Sequence, residues 1–347
     1  MIKVGIMGAT GYVGSELVRI LYHHPEVEIK VLSSKSYNSQ EYASIYENFS
    51  KICEMKCEEI DFESIGDQLD VFFLALPHGE TSKLITNSML NTVKIIDLSA
   101  DFRLKNADVY EEWYNIEHNN KDLLNSAIYG LCEWNRNKII NSRLVANPGC
   151  YATSILLSLL PLIKEGIIEK ESIIIDAKSG VSGAGRALNL HTHYTECNES
   201  IKAYNVTSHR HTPEIELFLN EVCGINASIT FTAHLVPMNR GILATGYGIL
   251  NKPYKYDEIK FVYEKYYKNE YFIRLTQKGV LPETKWVKGS NYCDIGFVID
   301  KRADKLIFIS AIDNLIKGAA GQAVQNMNLM FNLNENVGLK SIPIFPV

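Results

Sequence analysis

A cysteine lies at the corner between two apolar segments of the chain. Residues 144–146 are apolar and precede Asn147-Pro148-Gly149-Cys150, and a long apolar stretch, 154–163, follows. This pattern predicts a strand, a sharp turn allowed by the glycine, and a helix. Cys150 is therefore expected at a helix N-terminus, where unpaired amides and the helix dipole favour an anion. The sequence leaves two readings open, a nucleophilic thiolate and a buried, inert cysteine.

Two histidines, His209 and His211, form the second chemical group. In an extended segment both side chains would point to the same side. The unperturbed imidazole titrates closest to neutral pH, which suits proton transfer. We expect no metal here, because nearby candidates for a third ligand are not convincingly spaced. The doublet His23-His24 is expected to be solvated.

A glycine-rich turn stands near the start of the chain, between a strand-like segment (2–7) and a segment with helical periodicity (15–22). Gly8, Gly11 and Gly14 follow a G-x-x-G-x-x-G spacing instead of the usual G-x-G-x-x-G. In this context the glycines let the backbone approach a pyrophosphate at a helix N-terminus. The alternative is an ordinary tight turn.

The strand predicted at 28–32 ends in Ser33-Ser34-Lys35. Sites that prefer NAD place an acid here to bind the ribose 2′-hydroxyl, whereas hydroxyls and a lysine suit a 2′-phosphate. The sequence therefore predicts NADP(H). Glu28 is about the right distance from Gly8, but we discount it because it begins the strand.

Apolar runs at 71–76 and 93–98 predict further parallel strands, buried on both faces like the run before Cys150. The loops after them, at 77–79 and 99–103, lie where carboxyl ends of parallel strands place ligands. Arg103 is either a clamp for an anionic substrate or a partner in a surface salt bridge.

The second half of the chain has a different pattern. A strand at 172–176 precedes a loop, 179–186, whose amides and hydroxyls suit a phosphate or a nicotinamide. Strands are predicted at 229–235, 241–250, 293–300 and 305–312, the last two as a hairpin. A helix is predicted from Asp313, a good N-cap, to about residue 331.

These elements predict an α/β protein with two domains. Residues 1–149, with about 313–347, are expected to form a Rossmann-type, doubly wound parallel sheet that binds NADP. Residues 150–312 are expected to form a catalytic and dimerisation α+β domain with a mixed or antiparallel sheet.

The composition agrees with a globular protein of this size. The chain has 347 residues, 46% hydrophobic and 22% charged, with a net charge of −5, which argues against broad nucleic-acid binding. No apolar run reaches the roughly 20 residues that span a bilayer. We expect a cytoplasmic protein with free thiols, since no signal-type segment precedes the first strand and the seven cysteines are irregularly spaced.

Several segments together resemble the N-acetyl-gamma-glutamyl-phosphate reductase family, within the aspartate-semialdehyde dehydrogenase-like group. The Asn147-Pro148-Gly149-Cys150 turn and the segment from His209 to Glu214 are the specific ones. Ala233 stands where many relatives have proline, which does not affect the chemistry. The matching segments are 8–14, 75–79, 99–103, 147–151, 179–186, 209–214, 234–241 and 318–323.

The resemblance implies an NADPH-dependent reduction of N-acetyl-L-glutamyl 5-phosphate to the 5-semialdehyde, with release of inorganic phosphate, in arginine biosynthesis. It implies Cys150 as the nucleophile that forms a thioester, His209 or His211 in acid–base work, and a homodimer or homotetramer. Expected substrate contacts are Arg103, Asn147, Arg186 and Arg240, since guanidinium groups match carboxylates and phosphates. Expected cofactor contacts are Gly8, Thr10, Gly11, Tyr12, Val13, Gly14, Ser33, Ser34, Lys35, Leu76, Pro77, Ser179, Gly180, Ser182, Gly183 and Asn314.

Three other functions remain open at this stage. The same chemistry can act on aspartyl phosphate or an amino-adipyl phosphate. The chain can be a non-catalytic, NADP-sensing interaction protein, or a metal-dependent hydrolase that uses the histidines.

Overall fold

The chain forms two compact units in the computed structural model, which describes residues 1–60, 65 and 68–346. The first unit comprises 1–148 and 319–340, and the second comprises 149–318 and 341–347. The sequence placed 313–347 in the first domain. The last residues differ because the N–H of Ile344 donates to the Lys288 carbonyl (2.9 Å) and the Phe345 ring packs on Trp286 (centroids 5.0 Å apart).

The first unit contains a parallel sheet with strand order β3-β2-β1-β4-β5-β7-β6. Within the described residues, neighbouring strands of this sheet all pair in parallel. Its strands are β1 (Ile2–Met7), β2 (Val27–Ser33), β3 (Cys57–Glu58), β4 (Val71–Leu74), β5 (Lys94–Asp97), β6 (Ile128–Tyr129) and β7 (Leu144–Ala146). Among the described residues before 149, its α-helices are α1 (Tyr12–Tyr22), α2 (Tyr42–Ile45), α3 (Thr81–Leu84), α4 (Asn87–Thr92), α5 (Ala107–Tyr114) and α6 (Cys132–Ile140).

The order 3-2-1-4-5-7-6 reverses direction between β1 and β4, as in doubly wound folds that bind ligands at the strands' carboxyl ends. All four residues of β4 are fully buried, as expected for a parallel strand covered on both faces. The Rossmann-type prediction is confirmed.

The second unit contains a mixed sheet with strand order β12-β13-β14-β11-β8-β10-β9. Its strands are β8 (Ile174–Gly180), β9 (Lys202–Tyr204), β10 (Thr230–Val236), β11 (Ile242–Ile249), β12 (Ile273–Leu275), β13 (Cys293–Asp300) and β14 (Lys305–Ile312). Its helices are α7 (Cys150–Lys164), α8 (Tyr194–Cys197), α9 (His211–Cys223) and α10 (Tyr256–Tyr267). The mixed sheet and the β13–β14 hairpin are confirmed. The strand predicted at 172–176 is displaced: Ser179 and Gly180 end β8 and do not lie in a loop.

The apolar helix α7 is the core of the second unit. Every residue from Tyr151 to Ile163 is buried, and the helix packs on β11, β14, α9 and α10. The apolar residues that follow Cys150 are therefore core residues of the second unit. Among the residues that the structure describes, no helix is long and apolar enough to cross a membrane.

The last helix, α11 (Gly321–Met330), begins later than the sequence predicted. The Asp313 carboxylate does cap the amides of Leu315 and Ile316. The N–H of Gly318, however, donates to the Asp313 carbonyl five residues back (3.0 Å), the spacing of a π turn, and Ile316–Ala320 is π-helical.

The helix α11 packs in the first unit through buried amide side chains. Gln322 and Asn326 both donate to the Gly130 carbonyl, at 2.7 and 2.9 Å. The Asn328 Oδ1 lies 3.0 Å from the Nε2 of His24, which is buried. The prediction that His24 is solvated was therefore wrong, because the His24 imidazole binds a helix distant in sequence.

Candidate active site

The glycine-rich turn joins β1 to α1 in the first unit. Gly11 is the N-cap of α1, so it brings no side chain to the first amides of the helix. A Cβ on Gly14 would lie 2.8 Å from the Ala9 backbone and closer still to the Gly8 carbonyl oxygen. Gly8 itself has φ +72°, where other residues are strained. The turn thus leaves a backbone cradle at a helix N-terminus, which fits the diphosphate of a dinucleotide.

The end of β2 lies beside this turn. The N–H of Ala9 donates to the Ser33 carbonyl (3.1 Å), and the Thr10 and Ser34 hydroxyls are 2.8 Å apart. Both serines are buried, whereas Lys35 is exposed. The lysine therefore offers an exposed cation immediately after a pair of fixed hydroxyls, an arrangement that fits a ribose 2′-phosphate.

The loop after β4 is anchored by a buried carboxylate. Asp101 is fully buried and accepts hydrogen bonds from the N–H groups of Gly79 (2.7 Å) and Ser82 (2.9 Å). Leu76 and Pro77, both predicted cofactor contacts, lie on this loop, and Pro77 is exposed. No role was predicted for Asp101, although an acid in the loop that follows a buried parallel strand was a signal for one.

Arg103 is buried in the first unit, which does not fit a surface salt bridge. Its Nε donates to the Asn147 carbonyl (2.8 Å) and its Nη2 to the Leu98 carbonyl (3.0 Å). The Asn147 side chain donates to the Ala319 carbonyl and accepts from Asn326, both at 3.1 Å. Arg103 and Asn147 therefore fix the backbone at the end of β7, just before the cysteine turn.

Cys150 is the first residue of α7, as the sequence predicted, and it is partly exposed. Its N-cap, Gly149, has ordinary extended angles (φ −67°, ψ 151°), so a tight turn does not explain the glycine. A Cβ there would lie 2.8 Å from the Cδ2 and Cε1 atoms of His211 and closer to Nε2. The glycine is needed because the imidazole packs on its Cα, next to the cysteine. Gly318, in one of the segments that carry the family resemblance, packs on the Cβ of Cys150.

His209 and His211 lie together, although not in an extended segment. His211 begins α9, and its backbone N–H donates to the Nδ1 of His209 (3.1 Å). The two ring centroids are 4.9 Å apart. The bond from the helix start therefore brings the rings together in place of the expected strand geometry.

The two histidines differ in environment. His209 is buried among the rings of Tyr151, Tyr204 and Phe231, with centroids 5.1 to 5.4 Å away. Burial, helped by the nearby charge of Arg210, lowers the pKa of His209 to about 4. At neutral pH its ring is uncharged, and the Nδ1 that accepts a bond carries no proton. His211, which lies against Gly149, is the better placed of the two for proton transfer to atoms at Cys150.

Glu214 is a further residue at this helix start, and no role was predicted for it. Its side chain is almost completely buried, and its Oε1 accepts the N–H of Gly149 at 2.7 Å. No helix was predicted for this segment, so its spacing of three residues from His211, which puts both side chains on one face of α9, gave no signal.

The segment after β8 is a 3₁₀ turn, Val181–Ala184. Asn314 donates from Nδ2 to the Ser182 hydroxyl (3.0 Å) and accepts the N–H of Gly241 (2.8 Å). The predicted contacts Ser179, Gly180, Ser182, Gly183 and Asn314 all belong to the second unit, and the bond from Asn314 fixes the turn.

The other two predicted substrate arginines also lie in the second unit. Arg186 is exposed, just beyond the 3₁₀ turn. The Nη1 of Arg240 lies 3.8 Å from the buried Asp313 carboxylate. Within the described residues, no group of three or more His, Cys, Asp or Glu could hold a metal ion.

Comparison with known proteins agrees with this architecture. A family model described as semialdehyde dehydrogenase, NAD binding domain, matches residues 3–142, and one described as semialdehyde dehydrogenase, dimerisation domain, matches 150–314. The fold is similar to aspartate semialdehyde dehydrogenase II from Vibrio cholerae, with a TM-score of 0.71 and 18% identity over 96% of this chain and 98% of that one. The fold and these matches define a two-domain protein of the semialdehyde dehydrogenase type.

Relatives with much higher sequence identity indicate which family within this class the chain belongs to. A protein of Lachnoclostridium phytofermentans named N-acetyl-gamma-glutamyl-phosphate reductase is 56% identical over 346 residues, covering 100% of both chains. Proteins of the same name from Lachnospira eligens (100% of both chains) and Campylobacter jejuni (98% of both) are each 53% identical. This chain belongs to the N-acetyl-gamma-glutamyl-phosphate reductase family.

Proposed function

We propose that this chain reduces N-acetyl-L-glutamyl 5-phosphate to N-acetyl-L-glutamate 5-semialdehyde, with NADPH as reductant, in arginine biosynthesis. Full-length relatives that bear the corresponding name support this substrate over aspartyl or amino-adipyl phosphate. The observation that carries the chemistry is the position of Cys150 at the start of α7, with the His211 ring on the adjacent Gly149. A non-catalytic, NADP-sensing protein would not need a partly exposed cysteine beside an imidazole.

Residues of the first unit fit the cofactor. The backbone cradle of Gly8, Gly11 and Gly14 would hold the diphosphate, and Ser33, Ser34 and Lys35 the 2′-phosphate. The remaining candidates of that unit are Thr10, Tyr12, Val13, Leu76 and Pro77. When bound, the dihydronicotinamide supplies a hydride to the acyl carbon. Ser179, Gly180, Ser182, Gly183 and Asn314 of the second unit are proposed contacts through their amides and polar side chains.

The acyl transfer takes place on Cys150. Its thiolate sulfur attacks the acyl-phosphate carbonyl, the bond between carbon and phosphate oxygen breaks, and inorganic phosphate leaves with the electron pair. The product is a thioester, which divides one difficult step into two. After reduction at this carbon, the carbon–sulfur bond breaks, the aldehyde leaves and the thiolate is restored.

The negative charge that develops on the substrate's carbonyl oxygen must be stabilised by hydrogen-bond donors. The first amides of α7 have no carbonyl partner within the helix, and we assign the oxyanion to this helix start. The N–H of Gly149 is already bonded to Glu214, so it is not one of these donors. We assign proton transfer to the substrate oxygen and from the Cys150 thiol to His211, because its ring packs on Gly149, next to Cys150. The lowered pKa of His209 makes that ring a poor proton acceptor near neutral pH.

We propose that arginine side chains bind the anionic groups of the substrate. Arg186 and Arg240 are the proposed contacts for carboxylate and phosphate, since a guanidinium matches both. Arg103 and Asn147 are proposed to support the substrate site through the backbone of the cysteine turn, because Arg103 donates to the Asn147 carbonyl and the Asn147 side chain donates to the Ala319 carbonyl.

We further propose that the chain works as a homodimer through the second sheet. The match to a dimerisation domain supports this. One face of the sheet packs on α7, whereas the alternate residues Leu243 and Tyr247 of β11 and Ile307 of β14 are partly exposed. Sedimentation would then give about twice 39.2 kDa, and a tetramer would need a second interface.

Seven cysteines, none of them in a disulfide, suit the reducing cytoplasm, where we place the reaction.

The reverse reaction tests the proposed activity, because the acyl phosphate is labile. The chain is mixed with N-acetyl-L-glutamate 5-semialdehyde, phosphate and NADP, and the absorbance of reduced cofactor is followed. We expect a phosphate-dependent rise that is weak with aspartate semialdehyde and with NAD. A rise only with another aldehyde would reject the substrate, and no rise with any aldehyde would reject the catalytic function.

A further inference from the structure

The start of helix α9 holds the start of helix α7 at two points. His211 is the first residue of α9 and its ring packs on the Cα of Gly149. Glu214, three residues later on the same helix, accepts the N–H of that glycine at 2.7 Å. Both faces of the N-cap that precedes Cys150 are therefore fixed by one helical turn of the His211 helix.

The hydrogen bond from Gly149 to Glu214 is of the strong kind. A carboxylate that accepts a backbone N–H makes a short, charge-assisted bond, and the Glu214 side chain is 1% exposed. Loss of the acceptor would leave a buried amide unsatisfied, which the protein can relieve by moving one helix start against the other. Such a movement changes the separation of the Cys150 sulfur and the His211 imidazole.

We propose that Glu214 is a positioning residue, which sets the approach of His211 to Cys150 by holding the N–H of Gly149. Glu214 acts through Gly149 and is not assigned a contact with substrate. The inference rests on the proposed function for the identity of the reaction, but its structural part concerns only the cysteine and the histidine.

A matched control lies two residues further along the same helix. The Oε1 of Glu216 accepts the N–H of Ile229 at 2.9 Å, the same type of bond from a partly buried carboxylate. That bond holds the chain before β10 and not the cysteine turn. Glu216→Ala therefore removes a comparable bond without touching Gly149.

The test compares Glu214→Ala, Glu214→Gln and Glu216→Ala in two assays. The first is kcat and KM in the reverse reaction. The second is the rate at which iodoacetamide alkylates Cys150, measured as a function of pH and without substrate.

We expect Glu214→Ala to lower kcat by about 100-fold, since small misplacements of reacting groups have effects of this size. The KM for aldehyde and the affinity for NADP should change little. Alkylation near neutral pH should slow by about tenfold, because the thiolate loses its aligned imidazole partner.

The glutamine variant separates positioning from charge. Its amide oxygen can accept the same N–H, so Glu214→Gln should recover kcat and alkylation to within about fivefold of the parent, a neutral acceptor being the weaker one. Glu216→Ala should match the parent in both assays. A glutamine variant as slow as the alanine variant would overturn the proposal in favour of a role for the charge. Parent-like kcat and alkylation in Glu214→Ala would also overturn it.

The shorter acid covers the case in which the alanine variant does not fold. Glu214→Asp keeps the charge but shortens the reach, so slow alkylation in a folded protein that binds NADP supports positioning, and parent-like alkylation opposes it. The alkylation assay needs no substrate. If the chain fails to oxidise N-acetyl-glutamate semialdehyde, the proposed function fails while Glu214 is still tested.

Discussion

Gly14 of the first unit and Gly149 of the second both lie at the start of a helix, and neither position can hold a side chain. At Gly14 the obstruction is backbone, the Gly8 carbonyl and the Ala9 main chain. At Gly149 it is a side chain, the imidazole of His211. A backbone wall is rigid and suits the docking of a ligand, whereas a side chain held on a glycine Cα can move protons. In the proposed function the two glycines therefore mark two kinds of site, one for cofactor binding and one for proton transfer.

The two helix starts also differ in how their N-caps are satisfied. The N-cap N–H of α1, from Gly11, donates to the Gly8 carbonyl within the turn (3.0 Å). The N-cap N–H of α7, from Gly149, is held by Glu214 from another helix. The first turn is therefore set by local sequence, and the second depends on tertiary structure. Changes at the first should affect cofactor binding, and changes at the second should affect turnover.

The largest effect is expected from loss of the nucleophile. Cys150→Ser should lower turnover by about 10⁴-fold or more, as for other covalent catalysts, and leave NADPH affinity unchanged. Stopped-flow absorbance and fluorescence titration with NADPH measure the two quantities. Cys197→Ser, at another partly buried thiol of the second unit, should retain parent activity. Appreciable turnover by the Cys150 variant would exclude a thioester route.

Filling the second glycine should affect chemistry alone. In Gly149→Ala the new methyl group occupies the space of the His211 ring, so the imidazole must move. We expect kcat to fall by about 100-fold, with KM for NADP within a few-fold of the parent. Steady-state kinetics with both substrates varied provides the check. An unchanged kcat would mean that His211 has no part in proton transfer.

A pH effect on stability should come from His209 in the second unit. Its pKa is about 4 in the folded chain against 6.5 for the free side chain, because burial opposes the charged form. Between these values the unfolded chain binds a proton that the folded chain excludes. The contribution of neutral His209 to the free energy of unfolding is thus fully present above pH 6.5. It is lost as the pH falls toward 4, by about 1.4 kcal/mol per pH unit.

The variant His209→Gln should reduce this pH dependence by that amount, measured by urea unfolding at pH 6.5, 5.5 and 4.5. His24 and His118 of the first unit, whose pKa values are also lowered by burial, contribute equally to parent and variant. The difference in slope therefore reports His209 alone. Parallel curves for the two proteins would contradict the neutral state of His209.

Sequence patterns were informative where a site depends on neighbours in the chain. The glycine spacing at 8–14 and the turn before Cys150 combine period, turn residues and helix starts, and both strand–turn–helix units form as predicted. The roles of Glu214 and Asp101 depend on bonds to residues 65 and 22 positions away, which no local pattern contains. The burial that neutralises His209 comes from Tyr151, Tyr204 and Phe231, again from separate elements.

Filling the first glycine should affect binding and folding. In Gly14→Ala the methyl group meets backbone atoms that cannot rotate away, so we expect a loss of stability of about 1–3 kcal/mol. We expect the KM for NADPH to rise about tenfold or more, the equivalent of one lost interaction of that size. Thermal unfolding and steady-state kinetics measure the two. Gly11→Ala, whose Cβ would lie 3.5 Å from the Gly8 oxygen, should lose less stability. Equal losses would show that the steric argument at Gly14 is wrong.

The smallest effect is expected at Lys35. The side chain is exposed, so its attraction for a 2′-phosphate is screened by solvent and is worth about 1 kcal/mol. Lys35→Ala should therefore raise the KM for NADPH about fivefold, the equivalent of that energy, and leave kcat unchanged. The KM for NADH, which lacks the phosphate, should not move, and the NADPH effect should shrink at high salt. An equal rise in KM for NADPH and for NADH would mean that Lys35 supports the fold near Thr10 and Ser34 and does not bind the phosphate.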